Sequence, residues 1–111
     1  MKRAVALVAS VAFGTAAHAH QLNVFAFVEG DTVNVESRFS NGNAPRVGEV
    51  RVFDGNNQPL VVLPLEEDGT AQFRLDQTSS QAGLLIEVST GEGHDNYWIL
   101  PAADIARGSQ E

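Results

Sequence analysis

The stretch Thr32-Val33-Asn34-Val35-Glu36-Ser37-Arg38-Phe39-Ser40 decides the fold. Val33, Val35, Ser37 and Phe39 fall on one side of it, and Asn34, Glu36 and Arg38 on the other. A period of two is the signature of a β-strand with one dry face and one wet face. Before it, Glu29-Gly30-Asp31 reads as a tight turn, preceded by a first strand over Leu22–Val28. After it, Ser40–Gly48 is rich in Asn, Gly and Pro and reads as a loop. The same grammar continues to the C-terminus. Glu49–Asp54, Leu60–Leu65, Thr70–Leu75, Leu84–Thr90 and His94–Leu100 read as strands. Pro64 assigns the end of the fourth strand to a sheet edge, because proline has no N–H to give a ladder. Asp68-Gly69 is a hairpin-type pair closing an acidic turn that starts at Glu66. Seven short strands with frequent turn signals and no helical period predict an all-β, antiparallel immunoglobulin-like sandwich. That domain covers residues 20–101. Residues 102–111 read as a polar C-terminal tail, with one helical turn available at Ala102–Ala106 and fraying expected from Arg107 to Glu111.

Residues 1–19 have a different character. Lys2 and Arg3 precede an apolar run from Ala4 to Phe13, and Ala17-His18-Ala19 puts small residues at the −3 and −1 positions of a cleavage site. This is the layout of a secretory signal peptide, and the run is too short to span a bilayer as a helix. The expected location is therefore extracytoplasmic, in the periplasm. Cleavage after Ala19 makes His20 the first residue. Cleavage after Ala17 gives His18-Ala19-His20 instead.

The formal charge of the chain is −7, from 7 Lys and Arg against 14 Asp and Glu. Loss of Lys2 and Arg3 with the signal makes it more acidic still. Such a chain repels phosphates, which argues against a nucleic-acid partner. Cysteine is absent, so disulfides and thiolate sites are excluded. No Ser-His-Asp spacing, phosphate-binding glycine loop or carboxylate pair is found, and no enzymatic activity is expected. The Glu66-Glu67-Asp68-Gly69 turn lacks the spacing of a calcium loop and reads as a solvated hairpin. Tyr97 and Trp98 are adjacent, so in a strand one ring faces the core and the other faces out.

Three histidines occur: His18, His20 and His94. In an up-and-down succession of strands, the N-terminus and the loops after strands two, four and six share one end of the sandwich. His20 opens the first strand and His94 follows the sixth, so both are expected at that end, with the acidic turn nearby. An N-terminal histidine offers its α-amine and Nδ1 to one metal ion, and a second imidazole adds a third nitrogen. Such a set suits Ni(II) or Cu(II), which favour tetragonal nitrogen coordination. His18-Ala19-His20, the product of the other cleavage, is also a square-planar amino-terminal motif for these ions. The competing reading leaves His94 as a plain hydrogen-bonding residue.

His20-Gln21-Leu22-Asn23-Val24-Phe25-Ala26-Phe27-Val28-Glu29-Gly30-Asp31 resembles the mature opening of the extracytoplasmic accessory subunits (NikL type) of energy-coupling-factor nickel and cobalt transporters. Val50–Asp54, Glu67–Phe73 and Gly91-Glu92-Gly93-His94 fit the same pattern. The middle segments are also similar to carboxypeptidase regulatory-like and transthyretin-like sandwiches. The resemblance implies Ni(II) or Co(II) as cargo, His20 and His94 as metal ligands, and the membrane subunits of a transporter as partners. Two other classes compete: a metal-independent sandwich that docks another envelope protein, and a copper oxidase with a histidine brace. The short mature chain leaves the latter little room for a substrate platform.

Overall fold

The computed structural model of the chain describes residues 21–91 and 93–110. The signal-peptide reading of residues 1–19 lies outside them. Seven strands run in chain order: β1 (Leu22–Glu29), β2 (Thr32–Phe39), β3 (Glu49–Asp54), β4 (Pro59–Pro64), β5 (Thr70–Arg74), β6 (Leu84–Ser89) and β7 (Asp95–Leu100). They form two antiparallel sheets, one ordered β1-β2-β5 and the other β4-β3-β6-β7. The chain is thus an all-β sandwich of immunoglobulin-like type. In the constant-domain arrangement the fourth strand joins the sheet of the first. Here β4 pairs with β3 instead, so β4 forms an edge, as Pro64 predicts.

The alternation read from the sequence becomes the core. Val33 and Val35 of β2 face Val50 and Val52 of β3, and Ile86 and Val88 of β6; all six are at most 1% exposed. Full burial of a side chain this size contributes about 1.5–3 kcal/mol of hydrophobic stabilisation. Ser37 occupies a core position in the same row and would be costly there without a partner. Its hydroxyl donates to the Gly69 carbonyl at 2.7 Å, and its N–H donates to the same oxygen at 2.8 Å. The turn after β4 is thereby fastened to β2.

The helical turn expected at Ala102–Ala106 is present, and it continues through Arg107, where fraying was expected, as α1 (Ala102–Gly108), a seven-residue helix docked on β1. Its anchor is Ile105, 6% exposed and part of the core cluster. The helix can approach because Gly108 has no side chain: a Cβ there would clash with the Val28 carbonyl oxygen and Cβ. The contact is completed by Gly30 N–H, which donates to the Gly108 carbonyl at 3.0 Å. A short segment with a single buried apolar residue carries too weak a periodicity to be recognised as a packed helix. Among the described residues no helix is long and apolar enough to cross a membrane.

Candidate functional site

The end of the sandwich reached by β1's first residue is where the loops of interest gather. Gly48 marks the convergence. A Cβ at this position would meet Leu65 Cδ1 at 2.7 Å, the Ser89 carbonyl oxygen at 2.9 Å and Thr90 Cγ2 at 3.2 Å. The segments leading into β3, leaving β4 and leaving β6 therefore pack on one another at close range. Leu65 N–H closes the contact by donating to the Gly48 carbonyl.

His94 stands at this end, half-buried, just before β7. Its N–H donates to the Gly91 carbonyl at 3.0 Å. Its own carbonyl accepts both the N–H and the hydroxyl of Thr90, each at 2.9 Å. The imidazole meets the ring of Phe39 edge to face, with centroids 5.5 Å apart. Phe39 is the register partner of Leu22, at the other end of the β1–β2 ladder from the turn. One residue earlier, the Gln21 carbonyl accepts Ser40 N–H at 2.8 Å. The start of β1 is held from its other side as well. Asn96 Nδ2 donates to the Leu22 carbonyl at 2.8 Å, while Asn96 Oδ1 accepts Tyr97 N–H at 2.8 Å. The chain at Gln21–Leu22 is thus bracketed by Phe39 and Asn96, and His94 stands against Phe39 two residues before Asn96. His20, the other histidine singled out from the sequence, lies outside the described residues, as do His18 and Glu92.

The acidic turn reaches the same end. Glu67 and Phe39 both line an open depression of about 670 Å³, shared with Asn41, Asn43 and Arg46. Asp68 is occupied within its own turn: Oδ1 accepts the Thr70 hydroxyl at 2.6 Å and the Thr70 N–H at 3.2 Å. The hydroxyl bond is the main reason this carboxyl is held below its ordinary value of 3.8. Hydrogen bonds to the ionised form favour it. Among the described residues, no three His, Cys, Asp or Glu side chains converge on a point where a metal ion would fit.

The adjacent aromatic pair divides as its alternation predicts. Tyr97 is 56% exposed, and Trp98 packs against the core with Phe25 edge to face at 5.1 Å. Trp98 Nε1 is buried with no hydrogen-bond partner among the described residues. Two contributors to this end escape sequence reasoning. Phe39 reads as an ordinary core position, and its edge contact with His94 depends on two strands of different sheets meeting. Asn96 reads as a polar residue in a half-exposed strand. Its signal is its place on the inward side of β7, in line with Trp98 and Leu100, where an amide needs a partner. No protein-family model, curated protein or solved structure matches the chain.

Proposed function

We propose that this protein is an extracytoplasmic accessory module for nickel or cobalt uptake. It captures the ion at the histidine of its mature N-terminus together with His94 and passes it to the membrane subunits of a transporter. One observation carries the reading. Gln21 and Leu22, which follow His20 in the sequence, are tied by Ser40 and Asn96 to the end of the sandwich where His94 packs on Phe39. The α-amine and ring nitrogen of His20 would then share an ion with the His94 imidazole. Ni(II), Co(II) and Cu(II) all accept such nitrogen donors. The role is binding and delivery, with no catalytic step.

Calorimetric titration of Ni(II) into protein whose N-terminus is verified as His20 tests the proposal. A single ion should bind per chain. His94→Ala and N-terminal acetylation should each weaken binding at least tenfold. Binding no tighter than that of an acidic control protein, or binding indifferent to both changes, contradicts it.

A second reading has its own observation. The His94 ring already packs against Phe39, and the described residues hold no three-ligand cluster. On this reading the sandwich docks an envelope partner without metal, and complex formation should survive chelator.

A further inference from the structure

The outer faces of the two sheets differ in the balance of charge on their strands. On the outer side of the β1-β2-β5 sheet, Glu29, Glu36, Arg38 and Arg74 surround the stacked rings of Phe25 and Phe27, Arg74 is engaged by Asp31, and Gln72 donates to Asn34 across the ladder at 2.7 Å. The strands of that face carry equal numbers of carboxylates and guanidiniums. The outer face of β3-β6-β7 is built in three cross-strand rows, set by the register. The first row, nearest His94, is Glu49, Ser89 and Asp95. The second is Arg51, Glu87 and Tyr97. The third is Phe53, Leu85 and Ile99. Arg51, the one cation in these three rows, is engaged by Glu49 at 2.9 Å. Glu87 and Asp95 have no ionic partner among the described residues. Tyr97, across from Glu87 and two residues along β7 from Asp95, is 56% exposed, and Ile99 is 61% exposed in the apolar row. Glu49, Glu87, Asp95 and Tyr97 also line a shallow groove of about 270 Å³.

We infer that this face docks a cationic amphipathic segment of a partner protein. Successive rows lie about 6.5–7 Å apart along the strands, so one short segment spans all three. Its cations would meet Glu87 and Asp95, with the Tyr97 ring offering a cation–π contact beside them. Its apolar side would cover Leu85 and Ile99. The carboxylates choose the occupant. A second copy of this chain would bring a like-charged face against them, and an anionic membrane surface would be repelled. The inference stands apart from metal capture, because it uses neither histidine.

The test is an amide chemical-shift titration of the labelled protein with two short synthetic peptides. One carries Arg along one side and Leu along the other; its counterpart has Glu in place of Arg. The Arg peptide should shift signals of Leu85, Glu87, Tyr97 and Ile99, and added salt should weaken it. In the Glu87→Lys/Asp95→Lys double variant its affinity should fall at least tenfold, and the Glu peptide should now bind. Tyr97→Ala should cost several-fold. Both substitution sets are on the surface, and an unchanged core spectrum reports an intact fold. Four results overturn the inference: equal binding of both peptides to the unaltered protein, shifts confined to the β1-β2-β5 face, preferential binding to anionic lipid vesicles, or concentration-dependent self-association through the same residues.

Discussion

Asn96 serves two strands at once. Its amide N–H₂ closes the edge of β1 at the Leu22 carbonyl, and its oxygen closes the edge of β7 at Tyr97 N–H. Leu22 is only 2% exposed, so water is a poor substitute for the lost donor. Removing one partner of a buried pair costs more than the bond itself contributes, because the other is left unsatisfied. Asn96→Ala should therefore destabilise the fold by about 1–2 kcal/mol, measured as a lowered urea midpoint at constant slope. A change in midpoint within error would mean that the seam between the sheets is held by packing alone. Individual residues of this kind are the least legible part of the sequence. Val33 and Val35 declare themselves through a period of two, whereas Asn96 and Phe39 act through contacts between different sheets, which no local pattern encodes. His94 stands out in the sequence as one of three histidines, but its edge-on packing against Phe39 does not.

At the scale of elements, the strands were legible because each alternates or runs apolar between strong turn signals. Gly30, Asn56-Asn57 and Asp68-Gly69 all fall in turns. The fourth strand shows what a sequence states about an edge. Leu60, Val61 and Val62 are all at least 36% exposed, an apolar run with one side unpaired. Such an edge invites pairing with another chain, and proline is a common guard. Pro59 and Pro64 sit at its two ends. The helix is the element that the sequence underplays. Alanines and one isoleucine look like a tail until the flat site beside Val28 is known. Its docking rests on Ile105 and on the side-chain-free Gly108. Ile105→Ala should cost about 2–3 kcal/mol, toward the low end for a buried isoleucine because the helix is peripheral. Gly108→Ala should release the helix by clash. In both variants the Gly30 amide, which donates to Gly108, should lose its hydrogen-exchange protection while Val35 and Ile86 keep theirs. Uniform loss across all these amides would show that the helix and sandwich unfold as one unit.

Over the whole molecule, the acidity is not evenly spread. The three ion pairs among the described residues, Arg51–Glu49, Arg74–Asp31 and Arg107–Asp104, are all exposed. Exposed pairs stabilise a fold by little. The outer side of β3-β6-β7 has one guanidinium, Arg51, against Glu49, Glu87 and Asp95, and sets Glu87 and Asp95 beside the exposed Tyr97 ring. At the same scale, antiparallel succession brings the described start of the chain, the loop before β3, the acidic turn and His94 to one end. That arrangement follows from the order of strands and was legible before any side chain was placed. Metal capture requires that export create an N-terminal amine at His20 and that this amine and His94 take up one transition-metal ion together. Native intact-mass measurement of the secreted protein, with and without Ni(II), tests it most directly. The expected product is a chain that begins at His20 and gains a single Ni(II), with the gain absent in His94→Ala. A secreted chain that retains residues 1–19, or one that begins at His20 and gains no metal, would contradict it.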